Sequence, residues 1–199
     1  MKRIIEVLHD EHRGIEKLLL VLEEELSVFA RCERPDYEIV QTIIGYFQDY
    51  PNRCHHPKED LIFDKLKLRD PGAARMIGDF EAEHREEADR LTNFAQLVES
   101  IRTDHVLARR VFISAARDFI DYQRQHIERE ERLLFPAAVE ALQSEDWAGI
   151  HRHLNDQTDP LFTNKIEEKF RSMRDCILQW ERDNKVMRDR EPRGALHAG

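Results

Sequence analysis

The sequence predicts an all-α protein, an up-down-up-down four-helix bundle with extra C-terminal helices. Apolar residues recur every three to four positions over long stretches, which is the period of an amphipathic α-helix. Seven Gly and seven Pro in 199 residues are too few for the many turns of a β-fold. Charged residues make up 36% and hydrophobic residues 41%, which suits long helices with one buried face.

Prolines and apolar stripes mark the first two helices. The first predicted helix spans residues 2–30, and the break at Pro35 separates it from a second helix over residues 36–68. Pro51 lies inside the second helix, where its ring removes a backbone donor. We therefore expect a kink or a short break near residues 51–54.

A Pro-Gly turn at residues 70–72 precedes the third predicted helix, which spans residues 73–101. A turn with an N-cap at residues 103–104 leads into the fourth helix, over residues 105–142. Short connections between long helices favour antiparallel neighbours. These four helices are the predicted bundle.

The remaining chain predicts an appendage. A fifth helix ends near residue 154 and a sixth, opened by Pro160, ends near residue 185. Its apolar stripe is Leu161, Phe162, Ile166, Phe170, Met173, Ile177 and Trp180. This stripe packs either against the bundle or in a homodimer or other partner interface. We therefore divide the chain into a bundle (1–142), a helical appendage (143–188) and a tail predicted to be disordered (189–199).

Composition excludes several classes of function. The net charge of −9 argues against a nucleic-acid surface. No apolar run approaches the roughly 18 residues of a membrane span, and the N-terminal residues show no signal peptide. Three scattered cysteines do not make a disulfide framework, so a cytoplasmic location is expected.

A pattern of His and Glu occurs twice. His55 is followed four residues later by Glu59, and His126 by Glu130, so each pair lies on one helix face. Single histidines at 12 and 84 repeat with nearly the same offset. The starts of the first and third helices and the ends of the second and fourth share one end of an antiparallel bundle. All six residues then fall in one layer, roughly 15–24 Å from that end at about 1.5 Å per residue.

Such a layer is costly to bury unless it binds a cation. Imidazole and carboxylate together suit iron, manganese or zinc rather than magnesium or calcium. A carboxylate can bridge two metals with its two oxygens, and histidines complete each shell. The predicted ligands of two metal ions are His12, His55, Glu59, His84, His126 and Glu130. These ligands leave coordination positions open on each metal, which favours redox or small-gas chemistry over a closed structural site.

Three segments carry a family resemblance: Tyr46-Phe47-Gln48-Asp49-Tyr50-Pro51, His55-His56-Pro57-Lys58-Glu59-Asp60, and the run His126-Ile127-Glu128-Arg129-Glu130-Glu131 with the five residues after it. They resemble the bacterial hemerythrin-like family, or HHE cation-binding domain, over about residues 1–142. The resemblance implies a non-haem di-iron centre with an oxo or hydroxo bridge. It implies the same six residues as ligands, with the two Glu as the bridges.

One position departs from the family pattern. Oxygen-carrying hemerythrins have a second His one turn before the ligand on the third helix, and this chain has Phe80 there. One iron is therefore expected to lack a His, and we expect Glu81 and Glu83 to be exposed or to support the ligands. This departure favours peroxide, nitric-oxide or sensing chemistry over reversible oxygen carriage.

Residues beside the predicted ligands are candidate ligands too. His56 points about 100° from His55 on a regular helix, so we expect only one of them to face the core, and alignment with His126 selects His55. His9 is expected at the surface, and Cys54 is expected to be an unreactive thiol near the site.

The sequence supports several functions. The first is a di-iron protein that interacts with oxygen, peroxide or nitric oxide in sensing, stress response or iron handling. The alternative is an iron donor or a peroxide-degrading enzyme in the repair of damaged metal centres. A ferritin-like site needs Glu-x-x-His on two helices. The pairs Glu6/His9 and Glu81/His84 have that spacing, but the other helices carry His/Glu pairs instead of single Glu. A helical interaction module with a degenerate site is the last option.

Overall fold

The computed structural model describes residues 3–102, 109–156 and 160–190, and no strand occurs in these ranges. The helices are α1 (Arg3–Ala30), α2 (Tyr37–Tyr50), α3 (His56–Arg69), α4 (Pro71–Ile77), α5 (Phe80–Arg102), α6 (Arg109–Arg129), α7 (Phe135–Ala141), α8 (Ser144–Asp156) and α9 (Pro160–Arg190). Two π-helical turns, Pro51–His55 and Glu130–Leu134, join α2 to α3 and α6 to α7. The predicted all-α class is confirmed.

Helix ends follow from local sequence. Asp36 caps α2, because its side chain accepts hydrogen bonds from the backbone N–H groups of Glu38 and Ile39. Asp70 caps α4 in the same way. Gly78 then ends α4 with φ 106°, a value that favours glycine, so the third predicted helix is interrupted there. The predicted turn at residues 103–104 lies outside the described residues.

The bundle consists of α1, α2, α5 and α6. Helix α1 contacts α2 and α6, and α5 contacts the same two helices, so the four form a closed ring. The predicted irregularity at residues 51–54 is confirmed as the π-helical turn Pro51–His55. In such a turn the backbone bonds from i to i+5, which adds one residue to the helix.

Two apolar clusters fill the bundle. The first includes Leu19, Ile43, Phe47, Phe94 and Phe119. The second includes Leu8, Ile62, Leu66, Phe80 and Leu134. Along each of the four helical segments, one cluster lies before the His and Glu residues and the other cluster lies after them. The polar layer therefore lies between two dry, close-packed regions.

The C-terminal helices contact the bundle. Helix α8 packs on α3, where it buries Trp147 and Ile150 in the second cluster. Helix α9 packs on α1 and α2 and buries Phe170 and Ile177 in the first cluster. The side chains of residues 161, 162 and 166 and the tail from residue 191 lie outside the described residues, while residues 189–190 are helical. The domain division and the homodimer stay predictions.

Among the described residues, no helix combines the length and the apolar character that crossing a membrane requires.

Candidate metal centre

Helices α1, α3, α5 and α6 and the two π-helical turns bring the six predicted residues together in two groups that share Glu59. The first group is His12, His55, Glu59 and Glu130, and the second is His56, Glu59, His84 and His126. Within each group the nitrogen and oxygen atoms that can bind a metal lie within 4.8 Å of one another. The structure therefore places every predicted ligand in one layer, and it adds His56.

Two carboxylates reach into both groups. Glu59 Oε1 lies 3.3 Å from His12 Nε2 and 3.1 Å from His55 Nε2, while its Oε2 lies 4.0 Å from His84 Nε2. Glu130 Oε2 lies 3.3 Å from His12 Nε2, and its Oε1 lies 3.1 Å from His126 Nε2. Each carboxylate thus offers one oxygen to each group, as a bridge between two metal ions requires.

The layer is dry, and its polar atoms are poorly satisfied. His12, His55, Glu59, His126 and Glu130 each expose 3% or less of their surface. In the described ranges, the buried side-chain atoms without a hydrogen-bond partner are largely concentrated here: both nitrogens of His56, Glu59 Oε2, His84 Nε2, His126 Nε2 and both oxygens of Glu130. Unsatisfied buried polar atoms cost about 1–3 kcal/mol each. Bound cations would satisfy these lone pairs, so the residues fit a metal centre.

An outer ring of carboxylates contacts the histidines from behind. His12 Nδ1 lies 3.0 Å from Glu131, His55 Nδ1 2.9 Å from Glu11, His126 Nδ1 3.1 Å from Glu83, and His84 Nδ1 3.6 Å from Asp60. A carboxylate at Nδ1 favours the tautomer that carries its proton there. That leaves the Nε2 lone pair to face the interior, as metal-binding histidines require.

The carboxylates of the outer ring follow the same internal repeat as the predicted ligands. Each of its carboxylates is a sequence neighbour of a predicted ligand and contacts a His on the next helix. Lys58 Nζ lies 2.5 Å from Glu11, and in the second half Arg129 contacts Glu83 in the corresponding way. The repeat in the sequence extends to these residues, which was the signal that could have revealed them. The expectation that Glu83 supports the ligands agrees with its position.

Carboxylates raise the pKa of the histidines in the first group. Burial alone would lower the pKa of His12, but the adjacent carboxylates of Glu130 and Glu59 raise it to about 9. Burial also opposes the charge on His55, and the carboxylates of Glu59 and Glu11 raise its pKa to about 10. The carboxylates that hold protons on these two histidines in the metal-free protein would also attract a metal cation.

In the second group, the pKa of His84 shifts in the opposite direction. Burial lowers the pKa of His84 to about 3, and the neighbouring His56 and His126 add to this shift. Burial would raise the pKa of Glu59, yet the adjacent histidines hold it well below its usual range. His84 is thus a neutral imidazole beside an ionised carboxylate, which is the state that binds a metal ion.

The expectation that His56 points away from the core is wrong. The π-helical turn bonds the His56 N–H to the Pro51 carbonyl, and the extra residue rotates the chain between the two histidines. His56 is only 5% exposed, and its ring stacks on His84 with centroids 3.7 Å apart and planes 8° apart. Sequence reasoning missed this because it assumed a regular helix.

Three other residues near the predicted ligands differ in burial. Phe80 is 2% exposed, and its ring centroid lies 5.6 Å from that of His126, so an apolar ring fills the position one turn before His84. His9 has a side chain that is 37% exposed, with Nδ1 3.1 Å from Glu131. The thiol of Cys54 is buried.

A small cavity of about 190 Å³ reaches the second group from the surface. Its lining includes His56, His84, Glu87, Asn52 and Thr92. This is below the usual 300–1,000 Å³ of pockets for larger organic ligands. The cavity suits a small molecule.

A family model, the hemerythrin HHE cation-binding domain, matches residues 3–138. This chain belongs to the hemerythrin HHE family. No curated protein and no solved structure matches it significantly. The matched range contains every residue of the hemerythrin HHE metal layer and its outer ring, and it ends before α8. The resemblance inferred from the sequence is therefore confirmed, and the chain carries a cation-binding domain whose His and Glu groups fit a metal site.

Proposed function

We propose that this chain is a non-haem di-iron protein that interacts with oxygen, peroxide or nitric oxide in sensing, stress response or iron handling. The positions of Glu59 and Glu130 support the proposal, since each carboxylate offers one of its oxygens to the first group and the other oxygen to the second group. Two ions bridged by two carboxylates fit this arrangement, and imidazole with carboxylate favours iron over magnesium or calcium. Manganese and zinc fit the same donors.

The protein residues supply binding, orientation and dryness. Bound iron would supply one-electron chemistry and open positions for a small ligand. Glu11, Glu83 and Glu131 orient the histidines from behind, because each contacts an Nδ1 atom. Phe80 and Phe135 border the layer with apolar rings, which keep water away from it. The small cavity beside His84 agrees with a diatomic or peroxide ligand.

Metal analysis tests the proposal. The purified protein should hold about two iron atoms per chain and show oxo-bridge charge-transfer bands in the near ultraviolet. Glu59→Ala and Glu130→Ala should each remove most of the metal, because each deletes one oxygen from both metal shells. Glu128→Ala is the matched control, since Glu128 lies on the same helix as His126 but is exposed and paired with Arg132. A folded wild-type protein without metal, or metal loss only in the control, would contradict the proposal.

Ligand reactivity separates the proposal from its alternative. Binding of nitric oxide or peroxide with a defined spectral change and little turnover supports a sensing or handling role. Continuous consumption of peroxide, or transfer of iron to a metal-depleted acceptor protein, would favour a repair enzyme or iron donor instead.

A further inference from the structure

Resting on the proposed di-metal site, we infer that His9 and Glu131 form a separate, partly exposed cation site through which divalent transition-metal ions reach the buried layer. An ion at this site keeps most of its bound water. It then passes to His12 and Glu130, and the site at the surface is free to take another ion.

The burial of the predicted ligands makes an entry site necessary. His12, Glu59 and Glu130 expose 2% of their surface or less, so a hydrated ion cannot meet them directly. Moving a charge into such a dry region is costly unless protein ligands replace its water. A site at the edge of the layer allows this replacement to occur in steps.

His9 and Glu131 connect solvent with the layer. Potential ligand atoms of His9, His12 and Glu131 lie within 4.8 Å of one another. Glu131 Oε1 lies 3.1 Å from His9 Nδ1 and 3.0 Å from His12 Nδ1. The side chains of His9 and Glu131 are 37% and 38% exposed, whereas that of His12 is 2% exposed. One carboxylate oxygen thus meets a partly exposed imidazole on one side and a buried predicted ligand on the other.

Glu131 differs from the other two glutamates of the outer ring. The side chains of Glu11 and Glu83 are only 12% and 15% exposed, and a Lys or Arg side chain contacts each of them. In the place of that basic side chain, Glu131 has the imidazole of His9. Imidazole and carboxylate together bind transition-metal ions, whereas a carboxylate paired with an ammonium or guanidinium group is already neutralised.

The two imidazoles are held ready beside Glu131. His9 and His12 are three residues apart on α1 and therefore share a helix face. The ring of Phe135 meets His9 edge-on at 5.3 Å and stacks on His12 at 5.7 Å. These apolar contacts fix the rings without occupying a ring nitrogen. With His9 and Glu131 as its protein ligands, the site leaves the remaining positions to water, which suits transfer rather than storage.

Loading kinetics test the path. When Co²⁺ is added to the metal-free protein, the layer should fill about 10-fold more slowly in His9→Ala than in the wild type, because the local concentration of ions at its edge falls. The visible absorption of bound Co²⁺ measures the rate. The final content of two ions and their affinity should stay at the wild-type values, since His9 is not a final ligand. His153→Ala removes an exposed histidine from α8 and is the matched control, with unchanged loading.

His9→Gln separates metal binding from positioning. The amide can still donate a hydrogen bond to Glu131 but is a poor ligand for transition metals, so this variant should load as slowly as His9→Ala. Wild-type speed in His9→Gln would mean that His9 only holds Glu131 in place, and it would overturn the inference.

Mn²⁺ detects the site directly. The layer is first filled with Zn²⁺, which the same donors bind more tightly than Mn²⁺, so zinc stays there. Small amounts of Mn²⁺ should then broaden the ring-proton NMR signals of His9 before those of His153. Equal broadening of the two histidines would show that no cation site exists at His9.

The remaining outcomes distinguish the entry site from the di-metal site. Thr92→Trp narrows the 190 Å³ cavity from an exposed position and should not slow loading. Slow loading in Thr92→Trp with wild-type speed in His9→Ala would mean that metal enters through the cavity instead. A wild type that binds fewer than two Zn²⁺ would refute the di-metal site and this inference with it. Two Zn²⁺ with normal loading in His9→Ala would refute only the entry site.

Discussion

The outer carboxylates show how single residues control the centre. Glu11 and Glu83 occupy equivalent places in the two halves, and each contacts the Nδ1 of a His on the next helix. A basic residue, Lys58 or Arg129, holds each carboxylate in place. These contacts fix which nitrogen of His55 and His126 faces inward, so they should affect metal affinity without binding metal.

Glu11→Gln and Glu83→Gln should therefore each weaken metal binding by about 10–100-fold, because the neutral amide stabilises the required tautomer less than the carboxylate does. Competition with a chromophoric chelator measures the change. Glu16→Gln is the control, since Glu16 lies on α1 like Glu11 but bonds Arg124. Equal affinities in all three variants would show that the outer ring has no influence on the metals.

Residue spacing predicted the inner ligands because i and i+4 share a helix face and the copies are level in an antiparallel bundle. The same reasoning failed for His56. A π-helical turn leaves no clear mark on apolar periodicity, since it adds one residue while α2 and α3 both keep their buried faces. Pro51 indicated an irregularity, but not that both His55 and His56 would turn inward.

At the scale of helices, α9 is the element whose role the sequence left open. Its Phe170 is 4% exposed, and its ring centroid lies 5.8 Å from that of Tyr46 and 5.4 Å from that of Tyr50. Tyr50 in turn stacks on His55 at 6.3 Å. The described part of α9 thus covers α2 just before the π-helical turn, while the apolar stripe alone left a partner interface as the alternative.

Phe170→Ala should lower the free energy of unfolding by about 3–5 kcal/mol, because it removes a buried aromatic side chain and leaves a cavity. Metal content should stay near the wild-type value, since no ligand is carried by α9. Chemical denaturation and metal analysis on the same sample check both statements. Arg171→Ala, at an exposed position next to Phe170 on the same helix, should change stability little. Loss of metal in a folded Phe170→Ala protein would mean that α9 positions His55 through Tyr50.

For the whole molecule, the metal layer connects the two apolar clusters, so its charge state affects global stability. In the metal-free protein the pKa of His12 is raised to about 9 and that of His55 to about 10, from an ordinary value of about 6.5. The folded state therefore binds more protons than the unfolded state above that ordinary value. The stabilisation is fully present below about pH 6.5 and is lost as the pH rises toward 9 and 10.

The melting temperature of the metal-free protein should accordingly fall as the pH rises from about 6.5 to 9. The metal-loaded protein should show no such fall, because metal ions replace the protons between Glu59, Glu130 and the histidines, and metal binding itself strengthens as its ligands deprotonate. Calorimetry of both forms across this range provides the measurement. If the metal-free protein gained stability over the same range, the histidines would not share protons with these carboxylates, and the close contacts of the layer would need another explanation.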